Sequence, residues 1–207
     1  MDYEHYFNND GATRIPFEDV SALRQPLLTL KELDEAEANN IRRAMQMWEI
    51  NKRRPSYSEL LTLTYAKSLH LICFGMVWDW AGMFRNVQTN IGIEPIKIQY
   101  ELKQALENIN YKISLVVNLP KAERDAQLEL IVAEFAYKIV WIHPFKNGNG
   151  RWSRVYADRL ADVLKIPRFS WGKSIPSIDL RRNEMLNAIC IADSTGDIRD
   201  FLSWVKK

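Results

Sequence analysis

A chain of 207 residues is long enough for one substantial core, and no Pro-, Gly- or Ser-rich break divides it, so one compact domain is expected overall. Hydrophobic residues make up 47% and charged residues 26%, ordinary globular proportions that exclude a disordered chain. Twenty-eight basic against 26 acidic side chains leave a net charge of +2, too weak a field to imply direct nucleic-acid binding or an anionic membrane surface.

The start of the chain, Met1-Asp2-Tyr3-Glu4-His5, lacks a basic then apolar leader pattern, and no apolar run reaches the roughly 20 residues that span a bilayer. A cytoplasmic protein with no membrane partner is expected. Thr29 with Glu32, and Ser56 with Glu59, both fit the capping box, in which a hydroxyl and a carboxylate three residues on satisfy each other's backbone donors. Each predicts a helix start. Leu33, Glu37, Ile41, Ala44, Met45 and Trp48 follow the first; Leu60, Leu63, Thr64, Lys67 and an apolar run at 71–74 follow the second. The first 55 residues are read as a helical extension packed on a domain formed by residues 56–207. Cys73 and Cys190, far apart and each amid apolar residues, are expected to be buried free thiols.

Strand signal is confined to residues 87–98, where Val87, Ile91, Ile93, Ile96 and Ile98 are β-branched and Gly92 and Pro95 supply turn chemistry. This predicts a small hairpin or extended flap. Leu102, Leu106, Ile109, Ile113 and Val116 then form a helical stripe, and after Pro120 a second stripe of Leu128, Ile131, Val132, Phe135, Ile139 and Ile142 builds a central helix. Tyr156, Ala157, Leu160, Ala161 and Leu164 give another apolar face, halted by Pro167, with shorter helices over about 180–192 and 198–206. Seven tryptophans point to core packing.

The chemistry concentrates in His143-Pro144-Phe145-Lys146-Asn147-Gly148-Asn149-Gly150-Arg151 and Arg154. A residue before proline is disfavoured in the helical region, so the central helix should stop at His143 and leave the imidazole at its end. Gly148, Asn149 and Gly150 make a tight turn behind which a new helix starts, the arrangement of an anion site. Arg151 and Arg154, three apart on that helix, share a face and suit a polyphosphate. Asp158, four residues beyond Arg154, is a candidate partner for it. Phe145 would pin the loop to the core, and Lys146 would point to solvent. His5 and His70 have no motif around them and are read as satisfied core or surface groups, while Lys52-Arg53-Arg54 and Arg181-Arg182 are read as solvated loops.

The string from His143 to Arg154 resembles the Fic family signature H-x-F-x-[D/E]-G-N-G-R-x-x-R at every fixed position but one, over a span of about residues 60–170 that includes Trp80-Ala81-Gly82 and Arg85. Asp10-Gly11-Ala12-Thr13 and Asn90-Ile91-Gly92 resemble the small bacterial branch named mobile mystery protein B. The resemblance implies an all-α helical bundle with a β-hairpin flap, and transfer of AMP from ATP to a Ser, Thr or Tyr hydroxyl of a target protein. It implies His143 as the base, with Arg151 and Arg154 as catalytic cations. Lys146, Asn147, Gly148, Asn149 and Gly150 together with both arginines would bind the nucleotide, and Val87, Thr89, Ile91 and Ile93 would dock the target as an added strand. It also implies Mg²⁺, or Mn²⁺, and control by an inhibitory or antitoxin-like protein partner.

The departure is Asn147, where AMP-transferring members carry a metal-binding acid; a neutral amide oxygen is a weaker magnesium ligand. Two readings therefore stand beside AMP transfer: transfer of another phosphate-linked or phosphoryl group, and a metal-impaired nucleotide-binding or interaction module. Family members that inhibit themselves do so through an [S/T]-x-x-x-E-[G/N] helix whose glutamate ties up the second arginine. No such match occurs here; Glu107-Asn108 comes nearest, with Lys103 at the hydroxyl position.

Overall fold

The computed structural model describes residues 21–27, 29–50 and 55–207. The readings placed on residues 1–5, 10–13 and 52–54 lie outside them. Among the described residues the chain forms eight α-helices: α1 (Leu30–Ile50), α2 (Tyr57–Leu60), α3 (Leu63–Phe74), α4 (Ile98–Val116), α5 (Lys121–Ile142), α6 (Asn149–Leu164), α7 (Ile178–Thr195) and α8 (Arg199–Val205). The fold class is all-α, and pairing between extended segments is limited, among these residues, to one bridge, Leu23 with Trp78.

Both capping boxes are made. Glu32 N donates to Thr29 Oγ1 at 3.2 Å and Thr29 N to Glu32 Oε2 at 2.9 Å; Ser56 and Glu59 exchange bonds of 3.2 and 2.8 Å. The second box opens only one turn of helix, because Thr62 offers another N-cap, accepting from Tyr65 N at 3.1 Å, and starts α3.

Helix α5 is the centre of the bundle, with α4, α6 and α8 packed around it. Its stripe of Leu128, Ile131, Val132, Phe135, Ile139 and Ile142 is buried throughout, as is the stripe of α4. Helix α6 is buried on nearly every face after its first turn; Tyr156 donates to Leu60 O at 2.5 Å and meets Phe135 edge-on at 4.8 Å. Helix α1 lies across α3, where Asn40 donates to Ile72 O at 2.8 Å and accepts from Met76 N at 2.9 Å. Cys73 is buried as expected, but Cys190 is exposed, since it falls on the outer face of α7. Arg181 sits in that helix rather than in a loop and donates to Ile175 O at 3.3 Å. No described helix is long and apolar enough to cross a membrane.

Of the hairpin or extended flap expected over 87–98, no strand pairing forms. Residues 87–94 are an irregular loop, Pro95–Lys97 is a single 3-10 turn, and Ile98 is the first residue of α4. The reason is Arg85. Its guanidinium takes the carbonyls of Val87 at 2.9 Å and Ile93 at 2.5 Å, groups that a ladder would otherwise pair, and draws both limbs of the loop onto one side chain.

His70, on α3, supports the segment joining α5 to α6. It is fully buried, stacks on Phe145 at 3.7 Å between ring centroids, accepts from Gly82 N at Nδ1 (3.0 Å) and donates from Nε2 to Asn147 O at 3.1 Å. That pattern requires the neutral ring, and burial pushes its pKa down to about 3, aided by nearby Arg151 and opposed by the bond to Asn147. An unfolded histidine binds a proton near pH 6.5. As pH falls from 6.5 toward 3 the unfolded state therefore gains a proton that the native state refuses, and stability is lost. Between pH 7.5 and 5 His70 alone should account for about 2 kcal/mol. Urea unfolding across this range should show the loss in the wild type, and His70→Gln should flatten the slope by about one proton; an unchanged slope would show that His70 does not stay neutral.

Candidate functional site

The site is the junction of α5 and α6. His143 caps α5 in the left-handed region (φ 53°, ψ 61°), and Pro144 after it disfavours continuation of the helix. For a β-carbon-bearing residue the left-handed conformation costs about 1–2 kcal/mol, and neighbouring groups hold it there. Arg85 Nε donates to His143 O at 2.7 Å, and Arg85 N donates to Pro144 O at 2.9 Å. Gly92 packs on the other side at φ 102°; a β-carbon there would lie 2.5 Å from His143 Cβ and 2.7 Å from Arg85 Nη2. The loop 87–94 is thus laid directly against the histidine.

The His143 ring is half-buried, and Nδ1 donates to Val140 O at 3.3 Å, which leaves the lone pair on Nε2. Burial pushes its pKa down to about 4, with the Arg85 charge adding to the depression and the Val140 bond opposing it. It is uncharged at neutral pH.

Phe145 is fully buried, as its place in the motif predicts, between His70, Trp152 (edge-on, 4.9 Å) and Phe84 (5.6 Å). Asn149 then ties the turn shut: its Oδ1 accepts from Phe145 N at 2.9 Å and its Nδ2 donates to Phe145 O at 2.7 Å. Gly148 caps α6 at φ 76° directly over Phe74, where a β-carbon would meet the ring at 2.5 Å. Gly150 is exposed, and a β-carbon added to it would meet nothing within 4 Å. The first amides of α6 carry no side-chain cap, the arrangement of an anion site at a helix N-terminus.

Arg151 and Arg154 both lie on the first turns of α6 and are half-buried; the Arg151 guanidinium sits over the Phe74 ring at 5.4 Å. Lys146 is exposed. Asp158 turns its Oδ1 to the indole N–H of Trp171 at 3.0 Å. Val87 and Ile91 present exposed side chains, Ile93 packs against the core, and Thr89 donates to Ile91 O at 2.5 Å. Glu107 pairs with Lys103 at 3.7 Å on the exposed face of α4.

Asn147 Oδ1 accepts the Gly148 N–H at 2.7 Å, so the amide oxygen is engaged within the loop. Among the described residues no three His, Cys, Asp or Glu side chains converge, and this donor set does not fit a protein-built magnesium site.

Three contributors escape a reading of the motif alone. Arg85 clamps the loop, His70 braces it, and Glu37 reaches it from α1. Glu37 Oε2 pairs with Arg151 Nη1 at 2.6 Å, while its Oε1 accepts from Trp78 Nε1 at 2.6 Å. The available signal for Glu37 is an acid within the apolar face of Leu33, Ile41 and Ala44.

The N-terminal Fic domain of a VirB-translocated Bep effector protein from Bartonella quintana superimposes with a TM-score of 0.68 at 18% identity, covering 97% of this chain and 90% of that one. BepC from Bartonella tribocorum, solved with bound AMPPNP, gives 0.65 at 18% identity over 98% and 95% of the two chains. Fic-1 from C. elegans gives 0.62 at 21% identity over 88% of this chain and 50% of that one. The family model described as Fic/DOC family matches residues 60–161, the stretch that holds His70, Arg85 and the whole turn from His143 to Arg154. Residues 60–161 of the chain are a Fic/DOC family domain.

Proposed function

We propose that this Fic domain transfers AMP from ATP to a hydroxyl side chain of a target protein. The observation that carries the reading is His143, uncharged, with its Nε2 lone pair available, at the end of α5 beside the uncapped N-terminus of α6. In the proposed step Nε2 takes the hydroxyl proton as the hydroxyl oxygen bonds to the α-phosphorus; the bond from that phosphorus to its bridging oxygen breaks, and pyrophosphate leaves. The amides at the start of α6, those of Asn149 and Gly150 behind the Gly148 turn, hold the α- and β-phosphates, and Arg151 and Arg154 hold the β- and γ-phosphates and stabilise the departing charge. Exposed Lys146 adds charge at the rim. Any Mg²⁺ or Mn²⁺ is held by phosphates and water rather than by acidic side chains of this site. The loop 87–93, with Val87 and Ile91 outward, receives the target backbone.

Bep relatives were solved with AMPPNP and with ADP, which supports a nucleotide as co-substrate here. One observation favours a second reading, a nucleotide-binding module impaired in metal use: the engagement of Asn147 Oδ1 with Gly148 N–H. Incubation with α-labelled ATP, either metal and cell lysate should label protein, and His143→Ala should abolish the label. If the wild type labels nothing while Asn147→Asp does, the second reading replaces the first.

The pH profile gives an independent check. Because His143 is held near 4, kcat/KM should stay level as pH falls through 6.5 and decline only toward 4 to 5. An acid limb centred at 6 to 7 would show that a different or fully solvated base is at work.

A further inference from the structure

Glu37 stands on α1, outside residues 60–161, yet it is 1% exposed and its two oxygens are committed in different directions, one to the Trp78 indole and one to Arg151 Nη1. Trp78 is itself part of the core. It is fully buried, and its neighbourhood is stitched to the segment before α1 by Arg24 N to Val77 O at 2.9 Å and Asp79 N to Ala22 O at 3.0 Å. The Arg151 side chain is 16% exposed. An arginine so nearly buried needs a countercharge, and a fixed carboxylate on one terminal nitrogen also determines where the remaining N–H groups point.

From this geometry we infer that Glu37 is a positioning residue for the nucleotide site: it holds Arg151 in the orientation that grips the phosphates beyond the α-phosphate, and makes α1 a working part of that site. The inference rests on the nucleotide reading above. A carboxylate that only competed with phosphate for Arg151 would have to withdraw when nucleotide arrives. Withdrawing Glu37 would also break the bond from its other oxygen to the buried Trp78 indole. The ion pair uses one terminal nitrogen of Arg151, and a guanidinium carries five N–H donors. At metal sites, losing the partner that orients a ligand side chain costs about 10- to 100-fold in affinity or activity, and a loss of the same order is expected here.

The test is calorimetry on the full chain with ATP, ADP and AMP. Glu37→Gln keeps the volume and an acceptor for Trp78 but removes the charge. It should weaken ATP and ADP by about 10-fold or more while leaving AMP unchanged, because AMP lacks the phosphates assigned to Arg151. Arg151→Ala should show the same selectivity, and adding Glu37→Gln to it should cause no further loss. An equal loss for all three nucleotides would mean a merely structural role, and unchanged or tighter ATP binding would make Glu37 a bystander or a competitor; each overturns the inference. If Glu37→Gln does not fold, Glu37→Asp, which withdraws the same charge by one methylene, is read by the same criteria. Failure of the wild type to bind ATP would overturn the proposed function and this inference with it, whereas wild-type binding with an unaltered variant overturns this inference alone.

Discussion

The turn between α5 and α6 carries peptide groups into an apolar interior, and every one left without a partner would cost as much as a lost hydrogen bond. Side chains meet that demand, two of them from elsewhere in the chain and one from the turn itself. His70 takes Asn147 O, Arg85 takes His143 O, and Asn149 takes both polar groups of Phe145. The consequence is a loop whose shape is fixed from below and behind, while the amides at the start of α6 carry no side-chain cap. An anion site needs that asymmetry: donors already aligned, so that a ligand does not have to organise them.

The helices and the anchor were readable because they depend on local periodicity and local exclusions. Capping boxes, the stripes of α4 and α5, the stop at His143 before Pro144 and the burial of Phe145 all follow from residues close in sequence. The same is true of Gly148, whose positive φ a motif with glycine at that place already suggests. What could not be read is what comes from a distance. The loop 87–94 has the composition of a hairpin, but the composition cannot show that Arg85 will take the carbonyls a hairpin needs. Asn149, read as part of a phosphate cradle, uses its side chain to lock the turn. His70 fits its reading as a satisfied core histidine, yet the groups that satisfy it, at positions 82 and 147, make it a brace for the site.

Charge is distributed around this junction with the same division of labour. Both histidines near it are kept neutral by burial, and His70 stays neutral because its two ring nitrogens have opposite duties. A neutral His143 keeps its lone pair at neutral pH, but a base held near 4 has little affinity for a proton. Bound polyphosphate changes that balance, since negative charge beside an imidazole favours its protonated form. In the proposed transfer the nucleotide therefore raises the basicity of the group that must deprotonate the target, and it does so only once it is seated.

The arginines present the converse problem. A cation nearly removed from water has to be compensated within the fold, or the fold bears its desolvation alone. Glu37 supplies that compensation for Arg151 through a single terminal nitrogen, from a helix that the motif does not include. Compensation and readiness pull against each other: a carboxylate that covered the whole guanidinium would leave it nothing to offer a phosphate. Anchoring the second oxygen on Trp78 limits how far Glu37 can wrap the arginine, so the indole bond protects the open side of the site as well as the packing of α1.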